Sequence, residues 1–162
     1  MRRIRLSKVV VNMGVGESGK RLANAEAIVK TLTGQSPVRT IARKSVFKAR
    51  RGEPIGVVVT LRKKRAREFL ERALDVVEKR LPERVFDAGG NFSFGIEDHT
   101  DFGLRYDPDV GIFGLDVAVA LERPGYRVAR RRIRPRPVPK AHRVTREEAV
   151  EFVRQNFGVE VE

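Results

Sequence analysis

Cysteine is absent from the 162 residues. Disulfides and thiolate metal sites are therefore excluded, and a secreted disulfide scaffold with them. Histidine is almost absent: only His99 and His142 offer imidazole, too few for a multi-histidine metal centre. No apolar run approaches the roughly 20 residues of a membrane-spanning helix, so no membrane partner is expected. The start, MRRIRLSKVVVNMG, has charge followed by a short apolar run. That run alternates and has no small-residue cleavage site, so it reads as a strand and not as a signal peptide. The expectation is a cytoplasmic, single-domain chain, long enough to bury a core without staples.

Negative charge is missing from whole stretches. The chain has 34 Lys and Arg against 21 Asp and Glu, a formal +13. Residues 39–67 hold eleven basic residues and one acid, Glu53; residues 123–143 hold nine basic residues and no acid. Residues 83–122 reverse this, with nine acids against Arg84 and Arg105. A generic charge-rich surface intersperses its signs. Segregated charge of this kind points to a directional site for a polyanion, and nucleic acid is the commonest one. No exposed aromatic ladder accompanies the charge, so shape and backbone recognition of folded RNA fits better than base stacking along a single strand.

Periodicity organises the rest. Residues 4–13 alternate as a strand, with Val9, Val11 and Met13 on one side and Lys8, Val10 and Asn12 on the other. Residues 18–33 read as a helix, with Ser18 as N-cap and Gly34 as stop. A short strand in QSPVRTIARK leads to a long basic loop over 43–54. Residues 55–62 form the clearest strand, with Thr60 and Arg62 on its smaller, more polar side. A second helix is expected over 64–81, its stripe including Val77 and Leu81, with Pro82 ending it. Strands follow at 91–96 and 113–122, with a loop at 98–112 between them. Residues 123–143 form a basic Pro/Arg-rich connector in which Pro135, Pro137 and Pro139 forbid regular helix. Residues 144–162 form a helical tail, where Thr145 and Glu148 make a capping box over a helix at 145–157 closed by Gly158. The late strands have no helices between them, so the expected fold is α+β: a mostly antiparallel sheet, helices on one face, the other face free for a partner.

Three motifs invite catalysis and fail. Gly14 and Gly19-Lys20 stand at phosphate-loop spacing between a strand and a helix, but Arg21 occupies the position where magnesium needs a hydroxyl. Asp101-Phe102-Gly103 spells a kinase metal motif without a catalytic loop. Glu97, Asp98, His99 and Asp101 cluster without a second imidazole or a thiolate, which reads as a solvated acidic loop. No nucleophile, base and metal set is assembled, so no enzyme and no cofactor are expected.

Several segments match something specific. KVVVNMGVGES at 8–18, LTGQSPVRTIARKSVFKARRGEPIGVVVTLR at 32–62 and GGNFSFGIEDHTDF at 89–102 resemble the ribosomal protein L-five family of the large subunit. With YDPDVGIFGLDVAVALERPGYRVARRR at 106–132 the chain is similar to the archaeal form over nearly its whole length. The resemblance implies a 5S rRNA-binding protein of the central protuberance, in the cytoplasmic ribosome. It implies partners in large-subunit rRNA, P-site tRNA, other central-protuberance proteins and a small-subunit bridge partner. It carries the 5S rRNA contact onto Asn12, Gln35, Thr60 and Arg62, while Ser36 stands where the family commonly has Lys. It carries the tRNA-contacting loop onto Arg43, Lys44, Lys48, Arg50 and Arg51. The alternative is a free regulatory RNA- or DNA-binding module, which would not sediment with large subunits through a high-salt wash.

Overall fold

The computed structural model describes residues 1–45 and 49–162. Its centre is a five-stranded sheet built from β1 (Arg5–Gly14), β2 (Val38–Ile41), β3 (Pro54–Leu61), β5 (Phe92–Ile96) and β6 (Leu115–Glu122). The order is β2-β3-β1-β6-β5 and every pairing is antiparallel. Val9, Val11 and Met13 of β1, Val57, Val59 and Leu61 of β3, and Val117, Val119 and Leu121 of β6 are all at most 2% exposed. Their alternation puts them on one side of the sheet. Helices α1 (Lys20–Thr33) and α2 (Lys63–Val76) cover that side with Leu22, Ala25, Val29, Phe69, Leu70 and Leu74, in one continuous core. Fully burying such a side chain contributes about 1.5–3 kcal/mol. The fold is thus α+β, with α1 and α2 on one face.

Two local expectations are corrected. Ser18 does not cap α1: the cap is Gly19 at φ 101°, and no side chain bonds the helix end. Gly19 takes a positive-φ conformation that serine resists, so the turn geometry displaces the cap by one residue. The second helix does not run to 81. It stops at Val76, and Glu78 and Lys79 both turn to φ 55°. Beyond them β4 (Arg80–Leu81) pairs in parallel with β7 (Glu160–Val161) near residue 162. Lys79 and Leu81 carbonyls accept from the amides of Glu160 and Glu162. A pairing between segments far apart in sequence overrides helix propensity, and Pro82 merely follows it. By contrast, Gly34 ends α1 in the left-handed conformation as expected.

The third long helix, α4 (Arg146–Phe157), begins at the expected capping box. Thr145 accepts from the amide of Glu148, and Glu148 accepts from the amide of Thr145. Ala149 and Val153 bury its inner face against the common core. Between β6 and α4, residues 127–130 form a single helical turn, α3 (Arg127–Arg130). It lies upstream of the prolines that bar longer helix.

Candidate nucleic-acid interface

The register places the polar residues of the uncovered sheet face. Val10 stands opposite Thr60 and Asn12 opposite Val58, so Asn12 and Thr60 share that face as diagonal neighbours on paired strands. Across β6, Asn12 stands opposite Asp116, Val10 opposite Ala118, and Lys8 opposite Ala120. Ser93 of β5 completes the row through Ala118. The face is therefore low and open: Ser93, Gly95, Asp116 and Ala118 are exposed, and Val10, Asn12, Val58 and Thr60 are half-buried. Small side chains let a partner's backbone approach a surface of this kind.

Gln35 reaches the same site from the loop after α1. Its amide nitrogen Nε2 donates to the Thr60 carbonyl at 3.4 Å, and its own backbone amide is held by the Thr33 hydroxyl at 3.3 Å. Asn12 and Thr60 thus share the face, and Gln35 is held at the backbone of Thr60. Among the described residues, the Asn12 amide and the Thr60 hydroxyl form no hydrogen bond within the chain, so both keep their donors and acceptors for a partner. Arg62 is exposed and remains extended, φ −138° and ψ 160°, just beyond β3 at the N-cap of α2. Lys8 precedes Val9, the partner of Leu61, so Lys8 and Arg62 stand at the same end of the face. Sequence reasoning missed Lys8, Ser93 and Asp116 as members of this surface. Their alternation was visible, but not the strand order that sets β6 beside β1.

The basic loop is the connection between β2 and β3. Ile41 pairs with Pro54, the Ala42 amide donates to the Glu53 carbonyl at 2.8 Å, and the Gly52 amide donates to the Ala42 carbonyl at 2.9 Å. The one acid, Glu53, accepts from the backbone amide of Arg50 at 3.0 Å. The Ser45 hydroxyl accepts from the amide of Arg51 at 3.3 Å. Arg43, Lys44, Arg50 and Arg51 are exposed, and none has a carboxylate partner among the described residues. Lys48 lies outside the described residues.

The catalytic echoes are occupied internally. The amides of Val15 and Gly16, which a phosphate would need, both donate to the Ile55 carbonyl at 2.9 and 2.8 Å. Gly16 supports this turn at φ 80°, and Lys20 is the exposed first residue of α1. His99 is 3% exposed, and its Nδ1 accepts from the amide of Phe113 at 3.3 Å. The Asp98 carboxylate caps the short helical turn at His99–Phe102. The Thr100 amide that it accepts from holds its carboxyl below the ordinary value.

Residues 54–152 match the C-terminal region of the ribosomal L5 family, and residues 1–50 match Ribosomal protein L5. The large ribosomal subunit protein uL5 of Methanococcoides burtonii is 52% identical over 165 aligned positions, covering 100% of this chain and 98% of the relative. The uL5 of Methanoculleus marisnigri is 53% identical over 164 positions, covering 99% and 98%. That of Sulfurisphaera tokodaii is 53% identical over 165, covering 99% and 93%.

Proposed function

The chain belongs to the ribosomal protein L5 family, a structural and non-enzymatic constituent of the large ribosomal subunit, and from that premise we propose that its open sheet face binds 5S rRNA and its basic hairpin contacts P-site tRNA. The observation that carries the first half is the pairing of Asn12 and Thr60 on a face with no helix over it, with Gln35 held against the Thr60 carbonyl. Asn and Thr side chains can exchange hydrogen bonds with ribose 2′-hydroxyls and base edges. Arg62 can fork onto a phosphate or stack on an unpaired base. The small neighbours Ala118, Val10 and Ser93 let an RNA groove settle onto the strands. The second half rests on Arg43, Lys44, Arg50 and Arg51, exposed cations between β2 and β3 that can neutralise phosphates with little base geometry to enforce, and on Lys48 through the family resemblance alone. Large-subunit rRNA, neighbouring proteins of the central protuberance and a small-subunit bridge partner complete the proposed environment.

The test is binding of purified 5S rRNA by wild type and by Thr60→Val and Asn12→Ala. Both substitutions leave the sheet's buried side untouched, so the fold is retained. Each is expected to weaken binding by roughly 1–3 kcal/mol, the cost of a polar RNA group left unpaired in a closed interface. A hydroxyl-radical footprint on 5S rRNA should lose protection at the same nucleotides in both variants. Unchanged affinity in both would remove the sheet face from the interface.

A further inference from the structure

Residues 123–143 contain eight arginines, one lysine and no acid. Such a segment repels itself and stays open unless something holds it. Here both ends are tied. The Arg123 guanidinium, 6% exposed, pairs with Glu148 at the start of α4. The Tyr126 hydroxyl accepts from the amide of Val144 at 2.9 Å, and Nε2 of His142 lies 2.8 Å from the Pro124 carbonyl. The middle is folded back as well: the Arg136 amide donates to the Val128 carbonyl at 3.1 Å, and Arg130 pairs with Glu122 at 2.8 Å. Arg131 and Arg143 bond the carbonyls of Arg134 and Val138. That leaves Arg127, Arg132, Arg134, Arg136 and Lys140 exposed. Among the described residues, their side chains have no hydrogen bond or carboxylate within the chain. Arg127, Arg131, Arg132 and Arg134 line one concavity with Val128 and Ile133, and Ile133 is 76% exposed. Arg134 is held at φ 48°, a left-handed conformation that arginine rarely adopts.

We propose that this connector is a preformed phosphate clamp for an RNA backbone continuing off the sheet face. It rests on the reading that the face binds 5S rRNA. Glu122 lies on the same side of β6 as Asp116, Ala118 and Ala120, and Arg130 of α3 reaches it, so the connector borders the face at the end of β6. The face itself carries only a small net charge, because Arg5, Lys8 and Arg62 are set against Asp116 and Glu122. Polar side chains there can fit an RNA surface but cannot offset the repulsion among its phosphates. The clamp supplies that charge. Its composition favours RNA over an acidic protein: guanidinium forks match phosphate oxygens two at a time, and an exposed isoleucine among them can rest on a sugar or base.

The test replaces Arg127, Arg132, Arg134 and Arg136 together with Gln in the full chain. These side chains have no partner among the described residues, so circular dichroism and the thermal midpoint should match wild type. Affinity for purified 5S rRNA is measured from about 50 to 300 mM salt. Each phosphate that is no longer neutralised should make the slope of log affinity against log salt shallower by about 0.7–0.9, so about three in all. Affinity at low salt should fall on the order of tenfold or more. The same four positions changed to Lys should restore most of the slope. Thr60→Val should weaken binding without changing the slope. A folded Gln variant with the wild-type slope overturns the clamp while leaving the sheet-face reading intact, and loss by that variant of wild-type binding to an acidic protein of the subunit would name the other occupant. Wild type that does not prefer 5S rRNA to a control RNA of equal length overturns the sheet-face reading, and the clamp with it. If the fourfold variant does not fold, Arg132→Gln and Arg136→Gln singly should each remove about one unit of slope; two unchanged slopes overturn the proposal.

Discussion

Gly90 stands at φ 74°, and a Cβ built there would lie 2.6 Å from Cγ1 of Val144 and 3.2 Å from Cβ of Ala149. Two costs coincide at this residue: a left-handed backbone and a contact with the start of α4 that has no room to give. Gly90→Ala is therefore expected to destabilise the protein by about 2–4 kcal/mol, conformational strain plus overpacking. Gly16 separates the two effects. It has φ 80° but nothing within 4 Å of its Cβ position, so Gly16→Ala should cost only the strain, about 1–2 kcal/mol. Urea denaturation of both variants checks this, and equal losses would show that the packing against α4 contributes nothing. The same scale governs the proposed RNA contact: the side chains of Asn12 and Thr60 form no bonds within the described chain and are free to meet a partner, whereas His99, equally conspicuous in the sequence, is already committed to the Phe113 amide.

At the scale of elements, α4 is joined to the connector through one carboxylate. Glu148 accepts from the Thr145 amide and pairs with the buried Arg123. The Thr145 hydrogen bond foremost, and Arg123 after it, hold its carboxyl below the ordinary 4.5, against the opposing effect of burial. A carboxyl depressed in the folded state contributes stability that is complete above its unfolded value and is lost as pH falls through the folded one. Stability should thus decline below about pH 4.5 partly through this group, and Glu148→Gln should flatten that part of the acid limb while lowering stability at about pH 7. Urea midpoints taken between about pH 7 and pH 3 measure it. Parallel curves for the two proteins would mean that Glu148 has no share in the acid response. The β2–β3 hairpin makes a second element-scale prediction. Changing Lys44, Lys48, Arg50 and Arg51 to Gln should spare 5S rRNA binding and subunit assembly but weaken retention of P-site tRNA on purified ribosomes. Exclusion of the variant from large subunits would instead mean that the hairpin clamps rRNA permanently.

Across the whole molecule, the sheet order separates the cationic elements. The hairpin leaves the β2 edge, while the connector leaves β6, one strand from the opposite edge at β5. The open face lies between them, and α1 and α2 occupy the other side. A formal charge of +13 distributed in this way should make RNA affinity fall steeply with salt, because neutralised phosphates release counterions. Titration of wild type with 5S rRNA between about 50 and 300 mM salt reads this directly, and a nearly flat plot would contradict an electrostatic contribution from the connector edge.

Much of this protein was legible in local pattern. Period-two alternation named the buried residues of β1 and the polar side of β3, because the pleat alone decides which side chains share a face. The Thr145 and Glu148 spacing located α4 to a residue, since a capping box is a contact within one turn. Charge segregation and the presence of Arg21 were enough to favour a polyanion partner over nucleotide hydrolysis. Long-range pairing decided the rest. Only the order β3-β1-β6 puts Asn12 beside Val58 on one side and Asp116 on the other, and only the packed loop after α1 delivers Gln35 to Thr60. The helix that periodicity extended to 81 was cut at Val76 by a strand near residue 160. The connector, readable as basic and proline-rich, gained its form from Arg123, Tyr126 and His142, whose partners lie 16 to 25 residues away. Periodicity records each residue's relation to its neighbours in the chain. Strand order and loop closure depend on which distant surfaces bury the most together, and that is settled only when the chain packs.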